Sequence, residues 1–289
     1  MFVLNRNYQQ STHQLGLSMR SFVSMTRLLS VITSFIFLFG AATAQDLRLL
    51  KTVEGDFDFM TTDHIGRLYL AKGHELSLYS HEGELMYQFS DLSRGEITHL
   101  DCANPLKLLL FYPDYSQITF LDNTLSRTRE NVDLNTLELE LAQLACASFD
   151  NGFWVYDPIS FRLIRFDQSL RITNEVSNIN QLVGAELNSM QMMESEGWLY
   201  MNDPAHGVFV FDSFGTYLKL IPIPGAQRFQ ARSNGVFFLV GDKVMKFNSL
   251  SLETTEIELP ETAFKTVSIE NKHLFILTKE GVNIYTIIG

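Results

Sequence analysis

The chain has 289 residues, a hydrophobic content of 46% and a formal net charge of −11 at pH 7. This acidity argues against nucleic-acid binding, because basic side chains must replace the counterions that surround phosphates. It argues equally against electrostatic attachment to an anionic membrane face. We therefore expect no nucleic-acid partner and no hold on a membrane through charge.

The first segment with a recognisable pattern is an N-terminal leader. Two arginines precede an apolar stretch from Leu28 to Phe39, and the tripeptide Ala-Thr-Ala follows it. This order predicts a secretory signal peptide at residues 1–44, and an uncleaved membrane anchor is the alternative. Because the first eighteen residues are polar and have no place in a signal peptide, we expect translation to begin at Met19 or Met25. The apolar stretch is shorter than the roughly 20 residues that span a bilayer. We expect cleavage, no membrane insertion afterwards, and an exported protein that is periplasmic, envelope-associated or extracellular.

The rest of the chain repeats one phrase, an apolar strand, a tight polar turn, a second apolar strand and another turn. Removal of residues 1–44, which contain three arginines and no acidic residue, leaves 245 residues with a formal charge of −14. The second strands of six copies end, at steps of 36 to 45 residues, at Ser80, Asp122, Asp167, Asp212, Asn248 and Thr286. Periods of this length without helices are typical of propeller blades. We predict an all-β, six-bladed β-propeller with four-stranded blades in residues 45–289.

The predicted blades follow one another at about 57–89, 97–132, 141–176, 190–221, 229–259 and 267–287. The last blade ends after three strands and is therefore one strand short. The unassigned strand from Leu47 to Val53 is predicted to complete it. Such a clasp closes the ring and hides two sheet edges that would otherwise invite aggregation.

The clearest copy of the repeat is the phrase strand-Asp-x-x-Gly-x-aromatic-Leu at Phe211 to Leu218. Weaker copies at residues 79–85, 121–125 and 166–170 displace or lack the glycine. The phrase resembles six-bladed propellers of the NHL and TolB-like superfamily, as architecture only and over the whole mature chain. That superfamily includes binding scaffolds, extracellular sensors and some hydrolases, so the resemblance implies a fold and leaves the function open.

The innermost strand of each blade is expected to line a central channel, with side chains alternating along it. The polar residues predicted to line it are Asp58, Thr98, Gln143, Gln191, Gln230 and Ser268, with His99, Arg232 and Glu270 beside them. A lining rich in glutamine hydrogen-bonds water or a polar ligand. Calcium and zinc sites need clustered carboxylates or imidazoles, so we expect no metal and no cofactor.

Cys102 and Cys146 are the only cysteines, and their separation of 44 residues is close to one repeat. They are therefore predicted at nearly equivalent places on the inner strands of neighbouring blades. An exported protein can oxidise such a pair to a cross-blade disulfide. The alternative is two buried free thiols, because equivalent positions can exceed the roughly 7 Å between Cα atoms that a disulfide tolerates.

The turns between the second and third strands of blades 1 to 4 carry aromatic, acidic and histidine side chains. The residues concerned are His74, Tyr112, Asp114, Tyr115, Asp157, Phe161, Asp203 and His206. Proline and aspartate are ordinary turn formers, which explains part of this composition. These turns share one face around the channel mouth, however. Aromatic groups and carboxylates on a rigid rim suit a protein, peptide or glycan partner.

Two classes of function stay open. The first is an extracytoplasmic, non-catalytic binding or scaffolding propeller, as a subunit of an envelope assembly or as a sensor. The second is a lactonase-like hydrolase or lyase that acts on a sugar or lactone in the channel. The sequence contains no Gly-x-Ser-x-Gly elbow, Walker-type loop, His-Glu-x-x-His or Cys-x-x-Cys motif. We therefore favour the binding class and assign no catalytic residue.

Overall fold

The computed structural model describes residues 46–139 and 141–288. These residues form six four-stranded antiparallel sheets, which are the six blades that the repeat predicts. The predicted signal peptide and its alternative start codons lie outside the described residues. Within them, no helix has the length and apolar character needed to cross a membrane.

Five blades are continuous in sequence, with strands in order from the innermost to the outermost. Blade 1 contains β2 (Phe59–Thr62), β3 (Leu68–Lys72), β4 (Glu75–Tyr79) and β5 (Leu85–Ser90). Blade 2 contains β6 (His99–Asp101), β7 (Leu108–Tyr112), β8 (Gln117–Leu121) and β9 (Val132–Asp133). Blade 3 contains β10 (Leu144–Ala147), β11 (Phe153–Asp157), β12 (Arg162–Phe166) and β13 (Ile172–Val176). Blade 4 contains β14 (Gln191–Ser195), β15 (Trp198–Asp203), β16 (Gly207–Asp212) and β17 (Tyr217–Ile221).

Blade 5 contains β18 (Arg228–Arg232), β19 (Gly235–Val240), β20 (Lys243–Asn248) and β21 (Thr254–Ile257). Blade 6 combines β22 (Thr266–Glu270), β23 (His273–Leu277) and β24 (Gly281–Ile288) with β1 (Asp46–Glu54). A short helix, α1 (Ile179–Val183), lies in the connection between blades 3 and 4. Two 3₁₀ turns occupy Pro113–Tyr115 and Leu134–Leu137.

Strand β1 completes blade 6 and closes the ring as predicted. It pairs antiparallel with β24, from Asp46 opposite Ile288 to Glu54 opposite Gly281. Val53 is buried in the apolar layer between blades 6 and 1. The outer edge of the last blade is therefore covered by the first strand of the propeller.

The core consists of apolar layers between neighbouring blades. Each middle strand faces such a layer on both sides, so β7 and β11 are buried at all five positions instead of at alternate ones. Between blades 2 and 3, the rings of Phe153 and Phe166 stack with centroids 5.1 Å apart, and Phe120 packs beside them. Continuous apolar strands of this kind are what burial on both faces of a sheet requires.

One turn recurs between the third and fourth strands of the blades. Asp212 Oδ1 accepts hydrogen bonds from the backbone N of Phe214 and Thr216 at 2.9 and 2.8 Å, and the equivalent aspartates of blades 2 and 3 make the same pair of bonds. The fourth residue has a positive φ, 88° at Gly215 and 60° at Leu125. Leu125 is buried between blades 1 and 2. The weaker copy at residues 121–125 therefore folds the same turn, with a packed leucine in place of the glycine.

Candidate functional site

The six innermost strands surround a cavity of about 620 Å³ on the propeller axis. The first residue of each innermost strand pairs with the end of the second strand, as Phe59 does with Ala71. Each innermost strand therefore begins on the face that carries the turns between second and third strands. We call this face, with turns at residues 73–74, 113–116, 158–161 and 204–206, the rim face.

The predicted channel residues divide into two groups. The cavity is bordered by Thr98, His99, Gln191, Gln230, Arg232 and Ser268. It is not bordered by Asp58, Gln143 or Glu270. Asp58 and Gln143 each precede the first residue of an innermost strand by one position. Asp58 Oδ2 instead accepts a hydrogen bond from Gly73 N at 2.8 Å. It stabilises a turn on the rim face.

The two glutamines beside the cavity bind the next blade. Gln191 Nε2 donates to Phe229 O, and Gln191 Oε1 accepts from Phe229 N, both at 3.0 Å. Gln230 Oε1 accepts from Ile269 N at 3.0 Å, and Gln230 Nε2 donates to Ser268 Oγ. These amides extend backbone pairing across a blade boundary, so they are already occupied and offer little to a ligand.

Side-chain hydrogen bonds near the axis join every pair of neighbouring blades. The remaining four boundaries are bridged by Cys102 Sγ to Thr62 O, Ala147 N to Asp101 Oδ2, Phe149 N to Glu194 Oε1, and Thr62 Oγ1 with Ser268 Oγ. Sequence reasoning missed the roles of Asp101 and Glu194. Their only signal in the sequence was an acidic residue within an innermost strand.

The two acidic bridges hold blade 3 from both sides. Asp101 accepts from Ala103 N at 2.8 Å and from Ala147 N at 2.9 Å, and Glu194 accepts from Phe149 N and from Trp154 Nε1 at 2.9 and 2.8 Å. Burial raises the pKa of Asp101 to about 6 against the effect of these hydrogen bonds, and the charge of Glu194 adds to the increase. Asp101 is thus a carboxyl group that ionises near neutral pH.

Cys102 and Cys146 are free, buried thiols. Cys102 faces the layer between blades 1 and 2, and Cys146 faces the layer between blades 3 and 4. The two side chains therefore point away from each other, with the layer between blades 2 and 3 separating them. The alternative of a cross-blade disulfide is not what the structure contains. Burial raises the pKa of both thiols, which makes them poor nucleophiles.

The predicted rim residues differ in accessibility. Asp114, Tyr115 and Phe161 are exposed, His74 and His206 are half-buried, and Tyr112, Asp157 and Asp203 are buried. Asp203 accepts hydrogen bonds from Ala205 N at 2.8 Å and Asn188 N at 2.6 Å. Although burial opposes it, the bonds from Asn188 N and His206 hold the pKa of Asp203 below its ordinary value. The buried members of the set therefore shape turns and do not face a partner directly.

Four exposed apolar side chains lie on the rim face over blades 2 and 3. Tyr115 is 48% exposed, Leu141 62%, Ile159 66% and Phe161 44%. We call these four residues the apolar rim patch. Sequence reasoning included Tyr115 and Phe161 but missed the two aliphatic residues, because a single apolar residue in a turn carries no distinctive pattern.

Among residues 46–139 and 141–288, no three or more histidine, cysteine, aspartate or glutamate side chains are grouped so as to hold a metal ion. Two polar side chains with donors or acceptors available to a ligand border the cavity at its rim-face end. They are Arg228 and His99, the first residues of β18 and β6. The Nδ1 atom of His99 contacts Thr98 Oγ1 at 2.9 Å, which leaves Nε2 as the ring nitrogen that a ligand could use.

Comparison with known proteins finds the fold but no family. No protein-family model matches the chain, and no curated protein sequence does. Among solved structures, virginiamycin B lyase from Staphylococcus aureus aligns with a TM-score of 0.55 and 11% identity, over 84% of this chain and 100% of that one. The WD40 domain of Neurospora crassa Pan2 gives 0.54 and 10%, over 86% and 97%. BamB from Moraxella catarrhalis gives 0.50 and 9%, over 84% and 98%.

Identities this low establish a shared fold and nothing further. The strand order, the axial cavity and these alignments define the protein as a six-bladed β-propeller with four-stranded blades. The six-bladed architecture that the sequence resemblance implies is confirmed.

Proposed function

We propose that the protein is an exported, non-catalytic propeller that binds a protein partner through the apolar rim patch. Phe161 carries this proposal. Its φ is 52°, a left-handed conformation that is unusual for a bulky residue and costs on the order of 1 kcal/mol. Its ring is also 44% exposed. The exposed side chain of a strained residue adds little packing to the isolated chain, and strained residues cluster at functional sites.

The chemistry around Phe161 suits a protein interface. Ile159 lies in the same turn, Tyr115 in the corresponding turn of blade 2, and Leu141 in the connection between the two blades. Aromatic side chains are enriched at the centre of protein interfaces, with a polar rim around them. The exposed carboxylate of Asp114, next to Tyr115, provides such a polar margin.

The backbone of the patch is well supported, as a docking surface requires. Phe161 O accepts a hydrogen bond from Ile179 N at 3.0 Å, and Ser116 O accepts one from Leu134 N at 2.8 Å. The turns of blades 2 and 3 are thus tied to the connections beside them. A partner would meet preformed turns and would lose little binding free energy to ordering them.

The hydrolase or lyase alternative has less support. The amides of Gln191 and Gln230 are committed to blade boundaries, and burial raises the pKa of the Cys102 and Cys146 thiols, which makes them poor nucleophiles. The fold shared with virginiamycin B lyase does not transfer an activity, because one fold hosts many functions. Export is part of the proposal because residues 1–44 have the pattern of a cleaved leader.

Affinity isolation from native envelopes tests the proposal, with captured proteins identified and quantified by mass spectrometry. Phe161→Asn should abolish capture of the partner and leave the melting temperature unchanged or higher, because asparagine tolerates the left-handed conformation. Ile159→Ser should weaken capture in the same way. Leu106→Ser is the matched control, since Leu106 is 69% exposed on the opposite face.

The control variant should capture the partner as the unaltered protein does. Undiminished capture by the folded Phe161→Asn and Ile159→Ser variants would rule out the apolar rim patch as the binding surface.

A further inference from the structure

We propose that the axial cavity is a binding site for a small organic monocarboxylate with an apolar body, held by the guanidinium of Arg228. This inference is independent of the rim-patch proposal, because it concerns the channel and a small ligand.

Arg228 reaches across the channel. It is the first residue of β18 in blade 5, yet its guanidinium carbon lies 5.2 Å from the centroid of the Phe59 ring in blade 1. Blade 6 stands between these two blades. The side chain therefore extends over the axis near the rim-face mouth, where a ligand that enters the cavity would meet it.

The guanidinium of Arg228 has no polar partner within residues 46–139 and 141–288. No group there forms a hydrogen bond or ion pair with it, and its contact with Phe59 is through the ring face. Arg232, four residues along the same strand, pairs with Glu270 and donates to Ala231 O. Arg228 is exposed at the cavity mouth. Its guanidinium carries five N–H donors in a planar fork that fits a carboxylate, so it is available to bind an anion there.

The free positive charge and the carboxylates lie at different ends of the cavity, and Arg232 at the carboxylate end is neutralised by its ion pair with Glu270. Asp63, Asp101 and Glu194 border the end opposite the rim face, and their carboxylates are already engaged, Asp63 with Arg67 and Tyr69 for example. At the rim-face end stand Arg228 and His99. Burial, and next the positive charge of Arg228, lower the pKa of His99, so at neutral pH its imidazole is an uncharged hydrogen-bonding group. An anion is therefore favoured at the rim-face end and disfavoured at the other.

The remaining lining is suited to an apolar ligand body. Phe59, Leu144, Met190, Phe229 and Phe238 all border the cavity. Its volume of about 620 Å³ falls within the range typical of small-molecule sites, which are mainly apolar with a few placed polar groups. A carboxylate alone would leave this surface in contact with water. The geometry thus favours a carboxylate attached to an aliphatic or aromatic group.

Isothermal titration calorimetry on the purified protein, with straight-chain monocarboxylates from acetate to octanoate, tests the assignment. Affinity should increase with chain length, because each added methylene is buried in the cavity. Hexanoate should bind, and its uncharged analogue hexanamide should bind about tenfold more weakly or worse. Inorganic phosphate should bind more weakly than hexanoate because it lacks an apolar body.

Variants locate the site. Arg228→Gln should lower hexanoate affinity about tenfold or more, with Arg228→Lys intermediate because an ammonium cannot bind in a bidentate fashion. Arg228→Gln should keep its melting temperature, since the Arg228 side chain forms no hydrogen bond with the described part of the fold. Arg171→Gln is the control, because Arg171 is an exposed arginine that pairs with Asp167 in a turn on the opposite face.

Three results would overturn the proposal: no carboxylate binding at millimolar concentration, equal affinity for hexanamide, or unchanged hexanoate affinity in Arg228→Gln. The rim-patch and cavity proposals can be tested independently, because Phe161→Asn should lose the protein partner and still bind hexanoate.

Discussion

Gln191 and Phe229 are joined by two reciprocal hydrogen bonds, each 3.0 Å long, from the side-chain amide of one blade to the backbone N–H and C=O of the next. An amide side chain has the same donor and acceptor as a peptide unit. Gln191 therefore acts as one extra residue of β-pairing at a boundary where the backbones themselves are not paired. Gln191 and Gln230 therefore stabilise the boundaries between neighbouring blades.

Replacement of Gln191 should weaken the boundary between blades 4 and 5. Gln191→Leu leaves the N–H and C=O of Phe229 without partners, and an unsatisfied buried group costs about 1–3 kcal/mol. We expect a loss of that size in the free energy of unfolding, measured by urea denaturation. Gln143→Leu is the matched control, because the Gln143 side chain makes no hydrogen bond within the described residues and does not border the cavity. Similar losses in the two variants would contradict the assigned role of Gln191.

Asp101 should make stability depend on pH. Its folded pKa is about 6, above the ordinary value of 3.8, so between these pH values the folded state binds a proton more readily than the unfolded state does. The stability contributed by this group therefore falls as pH rises from about 4 to about 6. Asparagine keeps an acceptor for Ala147 N but cannot ionise.

Asp101→Asn should accordingly gain stability relative to the unaltered protein as pH rises. Urea unfolding of both proteins at about pH 4.5 and about pH 7.5 measures the difference. The control is Asp114→Asn, because the Asp114 carboxylate is exposed on the rim face and makes no hydrogen bond to the residues that the structure describes. A stability difference between Asp101→Asn and the unaltered protein that stays constant across this range would show that Asp101 ionises as it does in the unfolded chain.

Gly215 should tolerate no side chain. A Cβ atom there would lie 2.6 Å from Val176 Cγ2 and 3.4 Å from Trp154, in addition to the strain of its φ of 88°. Gly184 has a comparable φ of 71°, and a Cβ atom at that position would meet no described atom within 4 Å. Gly184→Ala should therefore cost about 1 kcal/mol of unfolding free energy, whereas Gly215→Ala should cost a further 1–3 kcal/mol or so from overpacking. Equal losses would mean that Val176 moves aside freely.

Deletion of residues 46–54 should destabilise the propeller severely. It removes β1, exposes the edge of β24 and uncovers the apolar layer in which Val53 lies. We expect a melting temperature at least about 10 °C lower, since 1 kcal/mol shifts the transition of a domain this size by about 2–4 °C. Leu50→Ser is the control within the same strand, because Leu50 is 46% exposed. An unchanged melting temperature after the deletion would contradict closure by β1.

The fold could be predicted because its information is local and repeated. The strand-turn-strand phrase recurs six times. In blades 2, 3 and 4, an aspartate at the first position of the turn fixes the conformation of the turn by accepting two backbone hydrogen bonds. The left-handed leucine of that turn could not be predicted. Leu125 packs between blades 1 and 2 in this conformation, and the sequence of the turn contains no trace of that neighbour.

The candidate site was harder to predict because it depends on where a strand begins and which way its ends turn. Asp58 and Gln143 miss the cavity by one residue. Asp157 and Asp203 end strands that are buried on both faces, so their side chains turn inward and bond the following turn. The sequence does not single out Arg228, because an arginine at the start of a strand can be assigned to a cavity only when the blades around that cavity are known.

The pairing of Asp46 with Ile288 also governs the order of assembly. The strand that leaves the ribosome first among those of the propeller has to wait for the strand that leaves it last, so blade 6 cannot form while the chain is still being made. Contacts so distant along the chain form slowly. Until that pairing forms, the edge of β24 and the apolar layer that contains Val53 stay uncovered, so closure of the ring is a late step of folding.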